Sequence, residues 1–155
     1  MSGSFSNKVV LVTGGAAGLG RAHALRFGGA GAHLVLADIN LAGMAETRAL
    51  VEAAGGSAEC HRVDMSQEQD IEAFGAAVIA SHPKVDVLIN SAGLHLGEIA
   101  RGFCGMGLAK WQHFFAVNTF APLLLAEAIR PALAAAQGLI INKCSMASYQ
   151  PATAY

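Results

Sequence analysis

The chain has 155 residues, of which 54% are apolar and 14% charged, and its formal net charge is -1. This composition excludes an intrinsically disordered chain, and one domain of this length can bury a sizeable core. Ten Lys and Arg residues against eleven Asp and Glu residues provide no basic surface for nucleic acid or an anionic membrane. Because no stretch reaches the ~18 uninterrupted apolar residues of a spanning helix, we expect no membrane partner.

The cysteines and histidines form no local pattern of their own. Cys60, Cys104 and Cys144 are widely spaced, and the six histidines are scattered singly. An odd number of cysteines without a Cys-x-x-Cys pair is typical of a reducing compartment. The amino terminus also lacks the basic start and apolar core of a secretory signal. We therefore predict a cytoplasmic protein without a metal site.

Short apolar runs alternate along the chain with longer Ala-rich amphipathic stretches. Runs of this kind indicate buried strands, and the longer stretches indicate helices. The predicted strands are 8–13, 33–37, 58–63, 85–89 and 138–144. The predicted helices are 18–28, 41–54, 67–81 and a long one, 108–136, disturbed near Asn118 and Pro122; residues 97–107 are predicted as a loop.

The order of these elements predicts the fold class. Strands separated by helices of this length form right-handed crossovers and a parallel sheet. The predicted architecture is therefore α/β, a doubly wound parallel sheet with strand order 3-2-1-4-5.

A glycine-rich turn, residues 13–20 (Thr-Gly-Gly-Ala-Ala-Gly-Leu-Gly), joins the first strand to the first helix. Glycine lets the backbone approach a pyrophosphate, and a helix beginning near Gly18 directs its unpaired N–H groups towards the phosphates. The spacing Gly-x-x-x-Gly-x-Gly differs from the usual Gly-x-Gly-x-x-Gly fingerprint and from a Walker loop. A merely tight strand-to-helix turn is the alternative.

Asp38 ends the second predicted strand, 20 residues after Gly18. An acid at this place can accept hydrogen bonds from an adenosine ribose, and its charge repels a 2′-phosphate. No Arg or Lys at Ala17, Ile39 or Asn40 compensates that charge, so the sequence favours NAD over NADP. The alternative is that Asp38 caps the helix beginning near Leu41.

The segment Asn90-Ser91-Ala92-Gly93 follows the predicted fourth strand. Its small residues would let a ribose or adenine lie against the backbone, and Asn90 can bond to neighbouring strands. Because parallel strands end at the same edge of a sheet, this segment is predicted to line the crevice beside the glycine turn.

This ordered set of motifs resembles the classical short-chain dehydrogenase/reductase family, which has the Rossmann fold. The family's Thr-Gly-x-x-x-Gly-x-Gly turn is matched by Thr13, Gly14, Gly18 and Gly20, with Leu19 inside the motif. Its acid in NAD users is matched by Asp38, its adenine-contacting Asp is similar to Asp64, followed by Met65, and its Asn-Asn-Ala-Gly is matched by Asn90, Ala92 and Gly93. The similarity spans essentially the whole chain.

The resemblance also implies a catalytic set, namely Asn118 of the long helix, Ser145 after the fifth strand, and Tyr155, ten residues after Ser145. In the family, hydride passes between the nicotinamide and an alcohol or carbonyl carbon, while the tyrosine hydroxyl exchanges the proton. Ser145 would orient the substrate oxygen, and Asn118 would hold a water of the proton relay. The implied protein is an NAD-dependent oxidoreductase that interconverts an alcohol and a ketone or aldehyde, with a homo-oligomeric full-length form.

Departures from the family pattern cluster near the end of the chain. Cys144 replaces a serine, and Lys143 is expected to keep its head in solvent. The chain ends at Tyr155, before the position of the family's lysine. We therefore expect residues 1–155 to form an incomplete Rossmann domain, inactive alone and prone to associate. An inactive dinucleotide-binding fragment is the alternative function, and a sugar-nucleotide epimerase with different glycine spacing is a third.

Two further groups near the crevice receive no catalytic role from the sequence. His95 and the loop after it either border the substrate or are solvated. Trp111, Phe114 and Phe115 are predicted to pack together rather than to form a substrate box.

Overall fold

The computed structural model describes residues 4–95 and 107–145. In these residues five parallel strands form one sheet in the order β3-β2-β1-β4-β5. The strands are β1 (Val9–Thr13), β2 (His33–Asp38), β3 (Ser57–Arg62), β4 (Val87–Asn90) and β5 (Leu139–Asn142). The predicted doubly wound α/β fold and its strand order are confirmed.

Helices connect the strands and cover the sheet. They are α1 (Gly18–Gly28), α2 (Leu41–Ala53), α3 (Glu68–Ser81), α4 (Leu108–Phe115), α5 (Ala121–Ala128) and α6 (Arg130–Ala136). A π-helical segment, Ala116–Phe120, joins α4 to α5. It contains Asn118, where the sequence predicts a disturbed helix.

The prediction of one helix over 108–136 is wrong at Ile129. The chain bends there by 64° between α5 and α6, and Pro131 lies in the first turn of α6. Proline cannot donate a backbone hydrogen bond and clashes with the preceding turn, so it begins a helix more readily than it continues one. Within the described ranges no single helix has the length and apolarity to cross a membrane, and the bent pair meets those criteria only jointly.

Both faces of the sheet are covered, because successive strand side chains point to opposite sides. Leu11 and Leu88 belong to one buried cluster with Ile71 of α3. Val10 and Ile89 belong to the other, which also includes residues of α1 and α2. This two-sided burial explains why the strands are apolar without alternation.

Strand β5 forms one edge of the sheet in the described residues. Its three apolar side chains are 38–52% exposed, namely Leu139, Ile140 and Ile141. Exposed apolar strands at a sheet edge favour pairing with another strand.

Asp86, directly before β4, forms hydrogen bonds with the amino end of β1. Its carboxylate accepts hydrogen bonds from Lys8 Nζ at 2.7 Å and from the N–H of Val9 at 2.9 Å. Burial is the largest influence on this carboxyl and alone would raise its pKa. The bonds from Lys8 and Val9, with the charges of Lys8 and Lys84, outweigh burial and hold the pKa of Asp86 below its ordinary value.

We expect Asp86→Asn to lower the free energy of unfolding by about 1–2 kcal/mol at neutral pH, because charged hydrogen bonds are lost. Since the folded-state pKa is depressed, the stabilisation is present above the ordinary carboxyl pKa of about 3.9 and disappears as pH falls through the folded value. Urea unfolding at neutral and acidic pH measures this. The difference in the free energy of unfolding between the wild type and Asp86→Asn should narrow in acid. Glu72 is exposed, so Glu72→Gln is the control and should leave the free energy of unfolding nearly unchanged.

Candidate functional site

The carboxyl ends of β1 and β4 are joined through one hydroxyl. Thr13 Oγ1 accepts hydrogen bonds from the backbone N–H groups of Ser91 at 3.1 Å and Ala92 at 3.0 Å. Thr13 is itself buried. The glycine turn and the segment after β4 therefore form adjoining walls of one crevice, as the sequence predicts.

Two glycines of the turn are required by close backbone approach. Gly14 has φ +71°, and a Cβ there would lie 2.8 Å from the backbone nitrogen of Ala92. A Cβ on Gly20 would lie 1.9 Å from the carbonyl oxygen of Gly14. Both neighbours are backbone atoms, which cannot move aside by a side-chain rotation. The turn can therefore keep this shape only with glycine at both positions.

Gly18 has a different environment from the other two. Its φ is +53°, but no described protein atom lies within 4 Å of a Cβ built on it. The neighbouring Leu19 is 59% exposed. This part of the turn faces outward and is accessible to a bound molecule.

The beginning of α1 has no side-chain cap. Ala17 stands at the N-cap position in extended conformation, and no acidic residue lies in the first turn. Unpaired N–H groups and the helix dipole favour an anion at such a place. Combined with the accessible Gly18, the first turn of α1 fits the phosphates of a dinucleotide.

Asp38 bonds to the glycine turn rather than capping α2. Its Oδ2 accepts from the N–H of Ala16 at 3.1 Å, and its Oδ1 accepts from the N–H of Asn40 at 2.9 Å. The cap of α2 is Asn40, whose side chain accepts from the N–H of Gly43 at 3.0 Å. The capping alternative is therefore not what the structure shows. The half-buried carboxylate lies at the edge of the crevice.

Arg21, a cation that bonds the same residue as Asp38, is not among the site residues predicted from the sequence. Its Nη2 donates to the carbonyl oxygen of Ala16 at 2.6 Å and pairs with Glu46 at 2.9 Å. Its Nε donates to Thr47 Oγ1 at 2.9 Å. Ala16 thus contacts both side chains, because its N–H donates to Asp38 and its carbonyl oxygen accepts from Arg21. Arg21 directly follows Gly20, the last glycine of the motif, and this position could have indicated a residue close to the crevice.

Asp64 and Met65, which follow β3, have different environments. Asp64 Oδ1 accepts from the hydroxyl and the N–H of Ser66 at 2.7 and 2.8 Å. These bonds lower the pKa of Asp64, partly opposed by burial and assisted by the charges of His113 and Arg62. Met65 is 7% exposed and packs in the core cluster beneath the crevice.

Asn90 is a buried link between β4 and β5. Its Nδ2 donates to Asn142 Oδ1 at 2.8 Å, and the two residues are opposite each other in the strand register. This agrees with the prediction that Asn90 bonds to a neighbouring strand. Asn142 was missed, although a polar residue ending the run Leu-Ile-Ile-Asn was a usable signal.

Asn118 fastens the π-helical segment to the chain after β4. Its Oδ1 accepts from the N–H of Leu94 at 3.0 Å. Its Nδ2 donates to the carbonyl oxygens of Leu94 at 3.2 Å and Phe114 at 3.1 Å. A Cβ on Gly93 would lie 2.8 Å from Asn118 Oδ1. The structure therefore brings Asn118 and Gly93 together at the crevice.

Lys143 differs in part from its prediction. The residue is exposed, as expected, but its ammonium group folds back and donates to the carbonyl oxygen of Ser91 at 2.9 Å. It lies 3.7 Å from the Cβ position of Gly93. A positive charge therefore stands at the same end of the sheet as Asn118.

The other predicted catalytic residues lie at or beyond the end of the described chain. Ser145 is exposed and follows β5, on the crevice side of the sheet. Tyr155 and the loop 96–106 lie outside the described residues. Trp111, Phe114 and Phe115 contact one another with ring centroids 5.9–6.2 Å apart, which agrees with mutual packing.

Comparisons with known proteins place this architecture in a family. The family model for short chain dehydrogenases matches residues 8–155. A metagenomic short-chain oxidoreductase solved in complex with NADP is 39% identical, with a TM-score of 0.89 over 96% of this chain and 67% of its own. The chain therefore belongs to the short-chain dehydrogenase family, whose members are oxidoreductases that bind a nicotinamide dinucleotide.

The curated relatives are longer than this chain. The probable oxidoreductase EphD of Mycobacterium tuberculosis (strain H37Rv) is 34% identical over 151 residues, which cover 96% of this chain and 25% of that protein. The D-threitol dehydrogenase of Mycolicibacterium smegmatis is 32% identical, over 91% of this chain and 54% of its own. The chain thus spans a quarter to about half of the length of these relatives.

Proposed function

We propose that this chain is the cofactor-binding part of an NAD-dependent oxidoreductase that interconverts an alcohol and a ketone or aldehyde. The observation that carries the proposal is the Asp38 carboxylate, held by the N–H of Ala16 at 3.1 Å beside the uncapped start of α1. One wall of the crevice therefore offers N–H donors for phosphates, and its edge offers an acceptor for ribose hydroxyls. The remaining predicted contacts of the cofactor are Gly14, Leu19, Gly20, Asp64, Met65, Asn90, Ala92 and Gly93.

The preference for NAD rests on charge. The Asp38 carboxylate at the crevice edge opposes a 2′-phosphate, whereas Arg21 is engaged by Ala16, Gly43 and Glu46. Its positive charge is thus partly neutralised by Glu46. The 39% identical neighbour was solved with NADP. The preference for NAD is therefore proposed from the residues of this chain and not from that neighbour.

The chemistry is assigned to three side chains. Bound NAD supplies the hydride acceptor or, when reduced, the hydride donor. Tyr155 takes the proton from the alcohol oxygen during oxidation and returns it to the carbonyl oxygen during reduction. Ser145 donates a hydrogen bond to that oxygen, and Asn118 keeps the chain after β4 against the π-helical segment. A proton carrier of this kind contributes a factor of about 10²–10⁴ to the rate.

The partners and the location belong to the same proposal. The substrate is a small alcohol or carbonyl compound, and the full-length form is a homo-oligomer. Support for the oligomer comes from apolar side chains on the outer surface of α4, the π-helical segment and α5: Phe115, Phe120 and Leu123 are 45–65% exposed. The free thiols of Cys60 and Cys144 agree with a reducing cytoplasm.

The experiment that tests the cofactor assignment is a pair of titrations. We expect NADH to bind at least about tenfold more tightly than NADPH, since one adverse charge at short range costs about 1–3 kcal/mol. Asp38→Asn keeps the shape of the side chain and removes its charge. The dissociation constant for NADPH divided by that for NADH should therefore be smaller in this variant than in the wild type. Tighter binding of NADPH to the wild type would contradict the assignment. NADH binding without turnover in the full-length protein would favour the alternative, a dinucleotide-binding module.

A further inference from the structure

A cluster of imidazoles surrounds one carboxylate at the amino end of the sheet, opposite the crevice. His33 is the first residue of β2, Glu59 lies within β3, and His82 directly follows α3. Glu59 Oε1 lies 3.1 Å from His82 Nε2, and Glu59 Oε2 lies 4.0 Å from His33 Nε2. Asp38 stands at the other end of β2, so the cluster is separate from the cofactor crevice.

The Nε2 atom of His33 has no hydrogen-bond partner among the described residues, although it is buried. The other ring nitrogen, Nδ1, lies 2.8 Å from Ser57 Oγ. When Nδ1–H donates to that hydroxyl, Nε2 directs a lone pair towards the Glu59 carboxylate. Two acceptors then face each other across 4.0 Å, an arrangement that a cation between them would satisfy.

The spacing of the donor atoms fits a transition-metal ion. One ligand atom from each of His33, Glu59 and His82 can be chosen so that all lie within 4.8 Å of one another. A tetrahedral zinc ion with bonds of about 2.0–2.1 Å separates its ligands by about 3.4 Å. The observed separations of 3.1 and 4.0 Å differ from this by less than one ångström. The 3.1 Å contact of His82 Nε2 with Glu59 Oε1 is a hydrogen bond, so an ion would take its place after small rotations of the side chains.

We propose that His33, Glu59 and His82 bind a divalent transition-metal ion, with Zn²⁺ as the ion best suited to two imidazoles and one carboxylate. Water completes the coordination. His61 Nε2 lies 2.8 Å from Glu59 Oε1 and holds that carboxylate in place, as outer-shell partners of metal ligands do. The ion would connect β2, β3 and the end of α3, and its role is to stabilise the fold.

The sequence predicts no metal site, because its histidines and cysteines are not spaced as ligands close together in the chain. The three ligands come from separate elements, and only the parallel pairing of β2 with β3 brings two of them together. The signal that was present is Glu59-x-His61, which places two polar side chains on one face of a strand.

The test is zinc binding to the metal-free chain, measured by calorimetry and by thermal unfolding. We expect one equivalent of Zn²⁺ to bind and to raise the melting temperature by roughly 5–10 °C at a hundredfold excess over the dissociation constant. His33→Gln and His82→Gln should each weaken binding by more than about tenfold. His23→Gln, on α1, is the matched control and should bind as the wild type does.

The zinc affinity of Glu59→Gln and the visible spectrum of the Co²⁺-substituted chain test the three ligands directly. Glu59→Gln retains hydrogen bonding to the histidines but loses the anionic ligand, so a folded Glu59→Gln chain with unchanged affinity would overturn the site. Co²⁺ substitution should give the visible bands of tetrahedral nitrogen and oxygen ligation. A thiolate charge-transfer band would instead place the ion at a cysteine such as Cys60, and this result would also overturn the proposal, as would no binding at all.

Discussion

Replacing Gly20 by alanine is expected to abolish high-affinity NADH binding, with a loss of at least about a hundredfold, and to destabilise the fold by about 1–3 kcal/mol. The added Cβ would lie 1.9 Å from the carbonyl oxygen of Gly14 and 2.6 Å from its carbonyl carbon. The turn must shift to relieve these contacts, which moves the N–H groups of α1 away from the phosphates. Calorimetric titration with NADH and urea unfolding measure the two effects.

The matched control is Gly107→Ala. Gly107 precedes α4 with φ -68°, and no described atom lies within 4 Å of its Cβ position. This variant should bind NADH as the wild type does. Wild-type affinity in Gly20→Ala would show that the cofactor does not depend on the shape of this turn.

Replacing Tyr155 by phenylalanine in the full-length protein that contains this chain should lower kcat by about a thousandfold. The hydroxyl is assigned to proton transfer, an interaction made in the transition state, and such groups contribute a factor of about 10²–10⁴. The dissociation constant for NADH should stay within about threefold, because the proposed cofactor contacts lie at the glycine turn and Asp38. Steady-state kinetics and NADH titration separate the two quantities.

Tyr149→Phe is the internal control, since Tyr149 and Tyr155 are the two tyrosines of the chain and only the second matches the family motif. Its kcat should be close to that of the wild type. If Tyr155→Phe retained most of its activity, another group would have to carry the proton, and the catalytic assignment would be wrong.

The sequence predicts most of the fold, because the relevant signals are local. Apolar runs covered on both sides, as in residues 9–13, predict parallel strands. The break at Ile129 was missed because the apolar pattern continues through Pro131, and only the proline marks the end of one helix and the start of the next.

The candidate site is predictable where a motif fixes the backbone and less so where side chains meet across strands. Gly14 and Gly20 are required by contacts inside one turn. The bonds of Asn90 to Asn142 at 2.8 Å and of Lys143 to the Ser91 carbonyl at 2.9 Å join residues 52 positions apart. Contacts of this kind depend on strand register, which one sequence does not determine residue by residue.

In the proposed reaction, hydride passes between an alcohol carbon and the nicotinamide. The most direct measurement uses a panel of secondary alcohols deuterated at the carbinol carbon, with NAD⁺ and the full-length protein. We expect deuterium from that carbon to appear in the isolated NADH for at least one alcohol of the panel, and we expect Tyr155→Phe to slow its appearance. NADH formed without deuterium would contradict direct hydride transfer, and NADH binding with no transfer from any alcohol or to any ketone would contradict the oxidoreductase assignment.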